Sequence, residues 1–187
     1  MNRDHQRRIE GIVALVLFGL TIPAANWLIG NAGSVCVPNG PCLVPVWPGV
    51  MAPSGVLMVG LALVLRDLVQ RRLGTLAGLG AIAVGTLISA LLAPPAIVIA
   101  SVSAFLLSEL ADFAIYTPLQ RRRFLTAVFA SGIVGLVVDS IVFLHLAFGN
   151  LDFLTGQVIG KAWMVVLAVP LMYLLRRRDE RLGLAAA

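Results

Sequence analysis

The chain has 187 residues, 59% of them hydrophobic and 12% charged, with a formal net charge of +5 at pH 7. That charged share is about half of what soluble domains carry, and residues 11–65 and 73–108 contain no Asp, Glu, Lys or Arg. A soluble globular domain of this length cannot hide two such runs, so the composition points to an all-α membrane protein, and the positive balance reads as an orientation signal, with no nucleic-acid partner implied.

Thirteen of the fourteen basic residues are Arg, in four clusters: Arg3, Arg7 and Arg8; Arg66, Arg71 and Arg72; Arg121, Arg122 and Arg123; Arg176, Arg177, Arg178 and Arg181. Enough apolar sequence lies between successive clusters to cross a bilayer and return, at about 20 residues per crossing. Cytoplasmic loops collect Lys and Arg, so the clusters mark one face, where they also meet anionic lipid headgroups. Three out-and-back hairpins predict one membrane domain over residues 1–187, with six transmembrane helices and both termini cytoplasmic. Lys161 is the one cation that this scheme leaves inside the membrane.

In chain order, the first predicted span is 9–29. Its basic flank resembles a signal peptide, but the apolar run is longer than a signal core and has no small-residue cleavage site, so it reads as a retained helix. Asn26 and Trp27 fall near its outer end, where Trp anchors at the interface. Residues 31–49 are rich in Gly and Pro, which forbids a regular helix there. Cys36 and Cys42 lie in this segment, and the sequence leaves open whether they are bridged. The second span, about 52–69, is short or broken, because counting back from Arg66 meets Pro53, Pro48 and Pro45. Pro-interrupted segments often point to a transporter's binding site. Arg66 and Asp67 read as an ordinary helix-end pair. Pro94-Pro95 divides the next apolar stretch into spans 73–93 and 96–116, the latter ending before Pro118. Span five is 124–148, followed by a turn at Gly149, Asn150 and Asp152, and span six is 155–175. Gly74 and Gly78, Gly132 and Gly135, and Gly156 and Gly160 are spaced for close helix packing.

Ionisable residues inside a bilayer are rare and usually face the bundle interior. Counting helical rise from the nearest Arg cluster places Asp139 roughly 24 Å deep, Lys161 roughly 22 Å and Glu109 roughly 18 Å, so the three share a layer. Glu109, Asp112 and Tyr116 line one stripe of the fourth span, Gln157 and Lys161 one stripe of the sixth, and Gly132, Gly135 and Asp139 one stripe of the fifth. Asp139 and Lys161 read either as a register-fixing ion pair or as a pair in which Lys161 also donates to a substrate carbonyl. Asp112 is also placed to be solvated near the cytoplasmic interface. His145 reads as an outer-interface residue, and Trp47 and Trp163 as packing or interface residues. No phosphate loop, paired-Cys metal spacing or His-Glu zinc helix is present, so neither cofactor nor metal is expected. Ser140, His145 and Asp139 make a poor catalytic triad, because Asp139 and Ser140 are neighbours on different helix faces.

Three stretches resemble the queuosine precursor transporter family, also called the vitamin uptake transporter family. They are Pro53-Ser54-Gly55 with Leu65-Arg66-Asp67 and Arg72-Leu73-Gly74; Ser108-Glu109, Asp112 and Tyr116 before the Arg121–Arg123 run; and Gly135, Asp139-Ser140 and Phe143 followed by Ala147-Phe148-Gly149, Gly156-Gln157 and Gly160-Lys161. The resemblance implies a non-enzymatic permease of a bacterial inner membrane for 7-cyano-7-deazaguanine or a related 7-deazaguanine. A guanine-like base presents N–H donors on one edge and an acceptor at O6. Glu109 or Asp112 suits the donors, Lys161 and Gln157 suit O6 or a nitrile, and Tyr116 or Trp163 suits the flat ring. Asn26, Glu109, Asp112, Tyr116, Asp139, Gln157 and Lys161 are therefore the expected substrate-binding set. The expected partners are this small molecule and the lipid bilayer, and a homo-oligomer is compatible with the pattern. The competing reading is a vitamin-binding subunit of an energy-coupling-factor type transporter, with ATPases on other chains.

Overall fold

The computed structural model describes residues 3–38 and 40–182. The side chain of Arg3, placed in the first basic cluster, lies outside what is described. Six helices run as α1 (Arg3–Asn31), α2 (Val56–Leu73), α3 (Thr75–Leu92), α4 (Val98–Leu119), α5 (Phe124–Phe148) and α6 (Leu154–Leu182). Five are long and apolar enough to cross a membrane. The exception is α2, which carries Arg66, Asp67, Arg71 and Arg72 within 18 residues.

That exception sits at the centre. α2 packs against each of the other five helices. Its Ala62 and Val69 join Ala14, Phe18, Ile22 and Ala81 in one apolar cluster with α1 and α3. Its Leu63 and Val64 join Tyr116, Leu136, Val165 and Met172 in a second cluster with α4, α5 and α6. Large apolar side chains such as Leu76, Leu91 and Ile99 point outward instead. A lipid-facing surface has that character, and it leaves the polar groups to turn inward.

The Gly- and Pro-rich segment forms a small antiparallel sheet of β1 (Val35–Cys36), β2 (Cys42–Trp47) and β3 (Val50–Pro53), in the order β1-β2-β3. The expectation of helices alone is corrected to that extent. Pro45 lies in the central strand, where a missing N–H is tolerated because the register shifts between Pro45 and Trp47. Cys36 and Cys42 pair across β1 and β2 and are joined by a disulfide. The sheet caps one end of the bundle, with the Trp163 indole donating to Val46 O at 2.9 Å and stacking on Trp47.

The other end is basic. Arg72 is 2.9 Å from Glu10 on α1 and 2.9 Å from Asp179 on α6, and Arg71 also reaches Asp179 at 2.9 Å. Arg71, Arg121, Arg122 and Arg176 surround one recess there. The start of α1, the end of α2, the α4–α5 turn and the end of α6 thus meet on one side, as the clustering of Arg requires. Arg66 does not join them. It is wholly buried about 8 Å deeper along α2, which corrects its assignment to the basic face.

Helix limits differ modestly from expectation. α2 starts only at Val56, after β3, and is the one predicted span that is not long and apolar enough to cross a membrane. α4 runs through Pro118 to Leu119, because a proline in the last turn removes only one N–H. α6 continues past Leu175 to Leu182, where Arg178 and Asp179 make their contacts.

The α2–α6 crossing depends on Gly60. A Cβ there would lie 2.7 Å from Lys161 O and 2.9 Å from its Cα, against backbone that cannot yield. Gly60→Ala should destabilise the protein by about 1–3 kcal/mol through overpacking. Gly80→Ala, with nothing within 4 Å, should leave thermal unfolding in detergent unchanged.

Candidate substrate-binding site

A cavity of about 710 Å³, counting the part open to its surroundings, lies in the half of the bundle nearest the sheet. The end of α1, the start of α2, and α3, α4, α5 and α6 all contribute to its wall. Ile22, Ile29, Val56, Val59, Phe105 and Phe143 make that wall mostly apolar, while Asn26, Ser89, Ser101, Ser108, Glu109, Asp139 and Gln157 supply polar points. Apolar walls with a few placed polar groups are the usual form of a small-molecule site.

Two ionic groups stand behind the wall. In the first, Arg66 donates from Nε to Glu109 Oε2 at 3.0 Å, from Nη2 to Asp112 Oδ1, and from Nη1 to Gln70 Oε1 at 3.1 Å. Its Nη1 also lies 3.0 Å from Asp67 Oδ1, and Ser131 donates to Asp67 Oδ2 at 3.3 Å. The guanidinium carbon sits 5.6 Å from the Tyr116 ring and 5.7 Å from that of Phe113. α2, α4 and α5 build this group together. The room comes from Gly135, whose Cβ would stand 3.1 Å from Asp112 Cβ and 2.8 Å from Leu63.

In the second group, Lys161 Nζ donates to Asp139 Oδ2 at 2.6 Å, to Ser140 Oγ at 2.9 Å and to Gln157 Oε1. Gln157 and Lys161 stand one turn apart on α6, and Asp139 and Ser140 come from α5. The ion pair read from the sequence is present, and all three hydrogens of the ammonium have partners.

The expected residues divide by position. Asn26, Glu109, Asp139 and Gln157 line the cavity. Asp112, Tyr116 and Lys161 do not line it; they are buried behind it. Asp112 is held by Arg66 rather than solvated near an interface, and Lys161 is saturated by α5 and α6. Tyr116 packs beside Arg66, and Trp163 stacks on Trp47, so the aromatics that the wall offers are Phe105 and Phe143. His145 is exposed near the α5–α6 turn, as expected of an interface residue.

Sequence reasoning missed Arg66, Asp67, Gln70 and Ser131 as partners of Glu109 and Asp112. The available signal was depth: Arg66 precedes Arg71 by more than one helical turn and cannot share its level. Arg66 and Asp67 are therefore not a helix-end pair. They form the centre of the buried network.

Comparison with known proteins bears on this arrangement. Residues 89–175 match the family model described as "Putative vitamin uptake transporter". This is the queuosine precursor transporter family. The matched segment holds the end of α3, all of α4 and α5 and most of α6, and with them Glu109, Asp112, Tyr116, Asp139, Gln157 and Lys161. Asn26 and Arg66 lie outside it. No curated protein and no solved structure matches the chain. With its long apolar helices, the chain is a multi-pass membrane protein whose residues 89–175 are similar to a transporter family.

Removing one partner of a buried charge pair leaves an uncompensated charge. Arg66→Met should cost about 3–5 kcal/mol of stability on that ground. Arg176→Met, at an exposed pair with Glu180, should cost less than about 1 kcal/mol. Parallel unfolding curves in detergent check the contrast.

Proposed function

We propose that the chain is a transporter that takes a queuosine precursor, 7-cyano-7-deazaguanine or a related 7-deazaguanine, across a bacterial inner membrane. The observation carrying this reading is that Glu109 and Asp139 both face one cavity while their cations, Arg66 and Lys161, stand behind them. The wall is therefore rich in acceptors on an apolar background. A deazaguanine edge offers N–H donors, and a carboxylate accepts two of them with the strength of a charge-assisted bond. The Gln157 amide and the Asn26 side chain are the donors best placed for O6 or a nitrile, and Phe105 offers a face for the ring. Lys161 acts here as a positioning residue that orients Asp139 and Gln157.

Two features support the orientation. The Arg-rich end suits the cytoplasm. The disulfide lies at the opposite end, and disulfides persist in oxidising compartments outside it. On this orientation the cavity sits in the outer half and the Arg66 group closes its floor.

Cells that can neither make nor import the precursor should accumulate labelled 7-cyano-7-deazaguanine when they express this chain alone. Glu109→Gln should lower uptake at least tenfold at equal membrane abundance. Unimpaired uptake by that variant would remove Glu109 from the site, and a requirement for a separate ATPase module would favour a subunit of a larger transporter.

A further inference from the structure

The group around Arg66 carries more carboxyls than its cation can balance. Asp67, Glu109 and Asp112 contact one guanidinium, so full ionisation would leave a net charge of −2 among side chains no more than 2% exposed. Other titratable groups do not correct this. On α2, Arg71 is engaged by Asp179 at 2.9 Å. On α4, Tyr116 adds no positive charge. On α5 and α6, Asp139 and Lys161 neutralise one another. α3 contains no ionisable residue, and the charged residues of α1 lie at its basic end.

An unbalanced carboxylate in so dry a place takes up a proton instead. The geometry shows where it would sit. Asp67 Oδ1 and Asp112 Oδ2 are buried and accept no hydrogen bond from the described residues, and the two carboxyls flank the same guanidinium. The nearby Tyr116 hydroxyl is likewise buried and without a partner. Glu109 connects this group to the cavity, because it lines the wall while its Oε2 is held by Arg66. A polar chain leads the other way: Gln70 accepts from Arg66 and donates to Thr117 at 3.0 Å, one turn nearer the basic end. Acidic relays of this kind mark proton pathways in membrane proteins.

Resting on the uptake reading, we infer that the chain carries one proton inward with each cargo molecule, and that Asp67, Glu109 and Asp112 around Arg66 are the proton site. One proton shared by Asp67 and Asp112 reduces the group to the charge of a single carboxylate. That carboxylate is Glu109, and the N–H donors of the cargo take up its charge when the cavity closes. Without the proton, closing the cavity would desolvate two uncompensated charges. Cargo and proton therefore cross together, and both leave on the far side.

The test uses the full chain reconstituted in liposomes with labelled 7-cyano-7-deazaguanine and the membrane potential clamped at zero. Exchange of labelled for unlabelled cargo, with no gradient, reports transport alone. Accumulation with the interior one pH unit more alkaline reports coupling, and one proton per neutral cargo molecule sets an inside-to-outside ratio of about ten. Asp67→Asn, outside the cavity wall, should retain exchange and lower that ratio to about one. Exchange with a ratio of one in the unaltered protein, or accumulation driven by a sodium gradient in its place, would overturn proton coupling and leave the transport reading intact. Absence of exchange would overturn both. Accumulation of about tenfold by Asp67→Asn would overturn the assignment of the proton site.

Discussion

The structure depends on a guanidinium in an apolar bundle. Arg66 has no exposed surface, and its charge is tolerable only because Glu109, Asp112 and Asp67 surround it. Those acids come from α2 and α4, with Ser131 of α5 completing the shell. An ion pair of this kind is a poor source of net stability, because desolvation offsets most of the attraction. It does fix register, since a shift of one helix by a residue would strand several charges. α2 can then occupy the centre of the bundle although, alone of the six helices, it is not long and apolar enough to cross a membrane.

The same constraint shapes the cavity. Each ionic group presents an acid to the cavity and keeps its cation behind: Glu109 before Arg66, and Asp139 before Lys161. The pocket thereby gains acceptors of fixed position. The Lys161 ammonium, with three protein partners, has no free hydrogen to offer a ligand. Its role is to hold Asp139 and Gln157 in place, which separates it from the wall residues although all stood together in the sequence pattern.

Much of this was legible in the chain itself. The Arg clusters located the helix ends, and the structure brings Arg71, Arg72, Arg121, Arg122 and Arg176 to one end. The i, i+4 spacing of Gln157 and Lys161 and the depth match with Asp139 gave the second ionic group. The sheet was less legible, because strands of two to six residues interrupted by Pro carry little periodicity. Arg66 was misread because charge clustering treats neighbours in sequence as neighbours in depth, and five residues of helix separate it from Arg71. Which acids reach the cavity depends on helix rotation in three dimensions, so Asp112 and Tyr116 share a stripe with Glu109 and still fall behind the wall.

The central claim is that Glu109 turns one oxygen to Arg66 and offers the other to cargo inside the cavity. An experimental structure of the full chain with 7-cyano-7-deazaguanine bound measures this directly. The base should lie within the cavity with a ring or amino nitrogen about 2.7–3.0 Å from the Glu109 carboxylate, and Arg66 should remain buried on its far side. A base bound elsewhere, or an Arg66 side chain facing lipid or bulk water, would contradict the account.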